Sequence, residues 1–68
     1  MMEVNYHSMV KFYRQERGLR QEDLAEEVEV SRRTIINAEN DNCRLTLETA
    51  MRLAAYFGVA LDQLFVRE

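Results

Sequence analysis

An all-α fold, a compact five-helix bundle, is what this sequence predicts, and three observations predict it. Apolar residues recur at helical spacing through most of the chain, as at Leu24, Ala25 and Val28, at Ile35 and Ala38, and at Ala50, Leu53, Ala54 and Phe57. Cap and stop residues punctuate those stretches: Ser31 and Thr46 stand where helices would start, Gly18 and Gly58 where they would end. No proline, internal repeat or low-complexity segment interrupts the 68 residues.

The first helix is expected to begin near Ser8 or Met9 and to end at Arg17, with Gly18 just beyond it and Val10, Tyr13 and Met9 facing inward. Asn5 is a rival cap. The second runs from Gln21 to Val28, its Leu24, Ala25 and Val28 stripe opposed by five acids, Glu22, Asp23, Glu26, Glu27 and Glu29. After a tight turn, Ser31 caps the third helix, Arg32 to Glu39, by accepting a hydrogen bond from an orphan backbone N–H. The fourth has Thr46 as its cap, Glu48 in its first turn, and apolar residues at Leu47, Ala50, Met51, Leu53, Ala54 and Phe57 before Gly58 stops it. A short fifth helix, Leu61 to Phe65, closes the core. Met1 to His7 and Phe65 to Arg67 hold enough Val, Tyr and Phe to pair as a short terminal β-ribbon; frayed termini are the alternative.

The third helix carries the chemistry. With Ile35 and Ala38 turned toward the partner helix, Arg32, Arg33, Ile36 and Asn37 turn outward. A guanidinium can bond guanine O6 and N7 with two parallel N–H groups, an asparagine amide can do the same for adenine N6 and N7, and an apolar side chain can meet a thymine methyl. Arg33, Ile36 and Asn37 lie three and four residues apart, so they project together into one stretch of groove. A solvated helix face that happens to hold two arginines is the competing explanation, and spacing alone does not separate the two.

Length and composition narrow the choice. Residues 1–68 are expected to form one small domain with a single core, without a separate ligand-binding or catalytic domain. There is no membrane-length apolar run and no signal-peptide pattern, and the lone Cys43 cannot form an internal disulfide, so a cytoplasmic location is expected. The net charge of −3 runs against a nucleic-acid partner until its distribution is considered. The five acids crowd the second helix, while Lys11, Arg14, Arg17, Arg20, Arg32, Arg33 and Arg44 gather around the first and third, leaving a basic surface for a duplex. Catalysis would need clustered acids, bases, nucleophiles or metal ligands. His7 and Cys43 are single and lie in different segments, so no enzyme activity, metal or cofactor is expected, and Cys43 reads as a loop thiol.

The motifs place these features together. Gly18-Leu19-Arg20-Gln21, Leu24-Ala25, Val30-Ser31-Arg32-Arg33-Thr34-Ile35 and Glu39-Asn40 resemble the signature of the phage repressor and Cro-like (XRE-type) helix-turn-helix regulators, whose domain is of the lambda-repressor-like kind. The resemblance continues through Leu47-Glu48-Thr49-Ala50, Leu53-Ala54, Phe57-Gly58-Val59 and Leu61-Asp62-Gln63-Leu64-Phe65, covering about residues 9–66. It implies a transcriptional regulator of the repressor kind that binds double-stranded DNA through a recognition helix in the major groove. By the same resemblance Arg32, Arg33 and Asn37 contact bases, with Ile36 beside them, and Thr34 and Asn40 contact the backbone, where Ser31 and Arg44 are further candidates. Gln21 would bond a phosphate and brace the recognition helix, and Arg14 and Glu39 would form a buried structural ion pair. A homodimer on an inverted-repeat operator is implied too, and Tyr56, Leu61, Phe65 and Val66 are apolar residues that one small core cannot fully bury; Leu61, Phe65 and Val66 are therefore assigned to the dimer interface. No membrane partner or small-molecule ligand is expected. The rival is an antitoxin-like or protein-interaction module of the same fold, which has no need of the outward arginines and amide.

Three departures from the family pattern bear on geometry. Glu29 occupies a turn position that is often glycine, where a left-handed backbone would cost about 1 kcal/mol or more. Asp41 replaces a glycine and Leu45 a frequent proline, so the loop Asn40 to Arg44 is expected to take a different path. Ala38 stands where a larger apolar residue is common.

Overall fold

Val10, Leu24, Ile35, Leu53 and Leu64 are each fully buried, and each comes from a different helix, so five short segments that could not be stable alone share one core. The computed structural model describes residues 4–68. Along these the order is β1 (Tyr6–Ser8), α1 (Val10–Glu16), α2 (Gln21–Glu27), α3 (Arg32–Ala38), α4 (Leu47–Phe57), α5 (Leu61–Leu64) and β2 (Phe65–Arg67). No helix among the described residues is long and apolar enough to cross a membrane.

Local chemistry explains the boundaries. Ser31 Oγ accepts the Thr34 N–H at 3.1 Å and Thr46 Oγ1 the Thr49 N–H at 3.2 Å, so both sequence-derived caps are in place. Gly58 ends α4 with φ +69° and Gly18 follows α1 with φ +66°, a left-handed conformation that costs glycine little. Helix α1 starts later than expected: Met9 is its N-cap without a side-chain bond, and Asn5 takes no part in capping. The entry is held instead by Ser8, whose Oγ accepts the Val10 N–H at 3.3 Å, and by the Met9 N–H on the Leu64 carbonyl at 2.8 Å. Helices α2 and α3 each end one residue short of the sequence expectation, with Val28 and Glu39 as C-caps.

The all-α reading needs correction, because the described ends pair. Strands β1 and β2 are antiparallel, with Tyr6 opposite Arg67, His7 opposite Val66 and Ser8 opposite Phe65. Phe65 therefore leaves α5 and enters a strand, its backbone extended at φ −120°, ψ 94°. The part of the expected N-terminal strand that falls on residues 1–3 lies outside the described residues. Cys43 is a free thiol in the loop, as expected, but it is only 6% exposed and lies buried beneath it. On α4 the inward stripe is Ala50, Leu53, Ala54 and Phe57, whereas Leu47 and Met51, four apart, lie on a neighbouring stripe and are 67% and 54% exposed.

The α2–α3 turn makes the strained choice. Glu29 has φ +59°, and Val30 N–H closes the turn on the Ala25 carbonyl at 2.9 Å. Glu29 is exposed, so its Cβ finds room, but the left-handed backbone remains unfavourable. Glu29→Gly should stabilise the protein by about 0.5–1 kcal/mol, the relief of strain exceeding the extra unfolded-state entropy of glycine. Urea unfolding measures this, and a destabilised variant would contradict it.

Candidate nucleic-acid interface

Helix α3 is only seven residues long, so its presentation depends on what holds it from behind. Ile35 and Ala38 are buried completely, and that leaves Arg32, Arg33, Ile36 and Asn37 exposed on the other side. Arg33, Thr34, Ile36, Asn37 and Asn40 together line one shallow concavity. Arg32 is not among them. Its guanidinium turns aside and donates to Gln21 Oε1 at 3.3 Å, so the four residues read from the sequence divide into a cluster of three and one that faces α2.

Behind α3 lies a polar network. Arg14 Nε meets Glu39 Oε2 at 2.5 Å, Arg14 also donates to Glu39 Oε1 at 3.4 Å and to the Leu19 carbonyl at 2.8 Å, and Gln21 Nε2 donates to Glu39 Oε1 at 3.0 Å. The Arg14 and Glu39 side chains are 11% and 8% exposed, so the pair is largely withdrawn from water and every contact matters more than at a surface. Gln21 spends one amide hydrogen on Glu39 and its oxygen on Arg32, which leaves one N–H for an external acceptor. The network thus ties α1, α2 and both ends of α3 together.

The loop after α3 takes a path the sequence did not reveal. Asn42 is left-handed, φ +55°, and its Oδ1 accepts the Tyr6 N–H at 2.7 Å while its own N–H donates to the Tyr6 carbonyl at 3.1 Å. Asp41 Oδ1 accepts the Ser8 N–H at 2.9 Å and lies 2.9 Å from His7 Nδ1. The Ser8 bond, then the His7 bond, hold the Asp41 carboxyl below the usual carboxylate range. The buried Ser8 hydroxyl donates to the Ala38 carbonyl at 2.5 Å, so the small residue at 38 marks where β1 grips the end of α3. Burial pushes the Cys43 thiol up, away from the reactive thiolate form. Asn37 Nδ2 then donates to the Arg44 carbonyl at 3.0 Å, joining the exposed face of α3 to this loop.

His7, Asp41 and Glu68 bring ligand-type atoms within 4.8 Å of one another, a grouping that sequence separation hid. All three are exposed, and His7 already bonds Asp41.

Of the basic residues grouped from the sequence, three are committed within the fold. Arg14 serves Glu39. Arg17 donates to the Phe57 carbonyl at 3.3 Å and lies over the Tyr56 ring at 4.9 Å, and Arg20 pairs with Asp23 at 3.2 Å. Lys11, Arg33 and Arg44 are exposed, as is Arg32 beside Gln21. Of the residues assigned to an interface, Leu61 and Phe65 line one open groove of about 570 Å³ together with Tyr6, Leu45 and Ala50. Val66 is 39% exposed but follows Phe65 in a strand and so points to the opposite face of the ribbon. Phe65 is half-buried, edge-on to Tyr6 at 6.0 Å.

Comparison with known proteins places this architecture. A family model described as helix-turn-helix matches residues 10–64, from the first residue of α1 to the last of α5. An uncharacterized HTH-type transcriptional regulator of Methanocaldococcus jannaschii is 41% identical over 59 residues, which cover 87% of this chain and 89% of that protein.

Removing either member of the Arg14–Glu39 pair leaves a charge buried without its partner. Arg14→Ala and Glu39→Ala should each cost about 3–5 kcal/mol in urea unfolding. Losses below about 0.5 kcal/mol would mean that the pair behaves as a surface contact.

Proposed function

The chain belongs to the XRE-type helix-turn-helix family of transcriptional regulators, and we propose that it is a Cro-like repressor that binds an inverted-repeat operator as a homodimer, with α3 in the major groove. The observation that carries the reading is the gathering of Arg33, Ile36 and Asn37 in one exposed concavity on a helix whose back is pinned by Glu39. Arg33 reads guanine, Asn37 reads adenine and Ile36 meets a thymine methyl. Ser31, Thr34, Asn40 and Arg44 supply backbone contacts that set register, and the remaining N–H of Gln21 serves a phosphate. Arg32, lying against Gln21, reaches a base only by leaving that partner.

One recognition helix spans too few base pairs for a unique address among roughly 10⁶ competing sites, so two must read together. The groove lined by Leu61 and Phe65 supports a second copy on this face of the molecule, with Val66 exposed on the opposite face of the ribbon. A two-fold dimer then calls for half-site centres about one helical turn apart, near 34 Å.

Mobility-shift assays on a selected operator, at two salt concentrations, test the whole reading: sequence-dependent retention supports it, and retention equal for all sequences or absent overturns it. Arg33→Ala should cost about 1–3 kcal/mol and relax one base position, whereas Gln21→Ala should weaken all sequences alike. An Arg33 variant with unchanged affinity and base preference would refute the assignment. Sedimentation at micromolar concentration should report a dimer. Because Phe65 also packs on Tyr6, the cleaner probe is the exposed Leu61. Leu61→Asp should shift the protein towards monomer and weaken operator binding more than non-specific binding; a wild type that stays monomeric on DNA would sink the dimer.

A further inference from the structure

Asp41 and Asn42 stand in the loop where the chain departs from its family pattern, and both are spent on β1 rather than left to solvent. Three bonds join the loop to the backbone of β1, beside the His7 side-chain contact with Asp41: Tyr6 N–H to Asn42 Oδ1, Asn42 N–H to the Tyr6 carbonyl, and Ser8 N–H to Asp41 Oδ1. In the β1–β2 pairing, Met9 N–H reaches the Leu64 carbonyl and Glu68 N–H the Asn5 carbonyl. In an antiparallel pair, inward and outward bonding alternates along each strand, so Tyr6 and Ser8 turn their peptide groups outward. The loop occupies that outer edge as a third strand would. The same strand holds the end of α3 through Ser8 Oγ and the Ala38 carbonyl. On its far side the loop presents the Arg44 carbonyl to Asn37 Nδ2.

We propose that Asp41 and Asn42 are positioning residues: by fastening the loop to β1 they place the Arg44 carbonyl so that it orients the Asn37 amide for base reading. The bond to Arg44 uses one Asn37 hydrogen and fixes which way the carboxamide plane faces. Asn37 Oδ1 and its second N–H then point outward as an acceptor and donor pair, the pattern an adenine edge requires. Without the fastening, the amide rotates freely and the discrimination that depends on its plane declines. This inference rests on the reading of Asn37 as a base contact.

Asn42→Gly separates side-chain bonding from backbone conformation, since glycine accepts φ +55° at least as well as asparagine but has no Oδ1. Asn42→Asp keeps an acceptor oxygen for Tyr6 N–H and serves as the rescue. Two readouts are taken on the intact protein, with circular dichroism verifying the fold: side-chain amide exchange of Asn37 in the free protein, and base preference by binding-site selection. Asn42→Gly should speed exchange of the Asn37 amide about tenfold. It should also remove most of the roughly 5- to 150-fold preference at the base position that Asn37→Ala abolishes, leave the Arg33 position unchanged, and recover with Asn42→Asp. An unchanged Asn37 amide, or a loss of affinity equal for all sequences, overturns the proposal. A shifted Asn37 amide with Asn37→Ala selecting the same site as wild type upholds the positioning and instead removes Asn37 from the base contacts.

Discussion

Everything exposed on α3 depends on a carboxylate that is almost hidden. Glu39 sits at the end of the helix with an arginine from α1 on one side and a glutamine from α2 on the other. In a largely water-excluded position such a group is tolerable only while its partners stay in place, so the three helices hold one relative orientation or the charge is left uncompensated. A helix of seven residues has little intrinsic stability, and its direction is dictated by this contact and by the burial of Ile35 and Ala38. Gln21 extends the constraint to the N-terminal end of α3 through Arg32.

The C-terminal end of α3 is held a second time, through a hydrogen bond to its backbone. Ser8 lies in a strand whose own pairing is with the C-terminal strand, and its hydroxyl reaches the Ala38 carbonyl while its N–H reaches Asp41. The ribbon therefore does more than tidy the termini. It supplies an edge on which the loop after α3 is laid, and it brings Phe65 into one groove with Cys43, Arg44 and Leu45 of that loop. Of the residues that depart from the family pattern here, Asp41 is the one the strand uses, and a glycine at 41 could offer no carboxylate to Ser8. The apolar side chains of Leu47 and Met51 stay outside this arrangement, on an exposed stripe of α4.

Much was determined by the sequence alone because it depends on contacts between near neighbours. Ser31 and Thr46 as caps, Gly18 and Gly58 as stops, and the inward spacing of Leu24, Ile35 and Leu53 are properties of one turn of helix, and the family signature rests on the same positions. Glu29 was readable as a strained turn for the same reason: the cost of φ +59° is local. The ribbon could be offered from composition only as an alternative to frayed ends; its register, the burial of Cys43 and the gathering of His7, Asp41 and Glu68 were not readable, since three-residue strands carry almost no periodic signal and their partners lie tens of positions away. Which outward residues of α3 remain available was likewise decided by the tertiary structure. Helical spacing put Arg32 beside Arg33, but only the folded chain supplies Gln21 to draw one guanidinium aside, and Arg44 to take hold of the Asn37 amide.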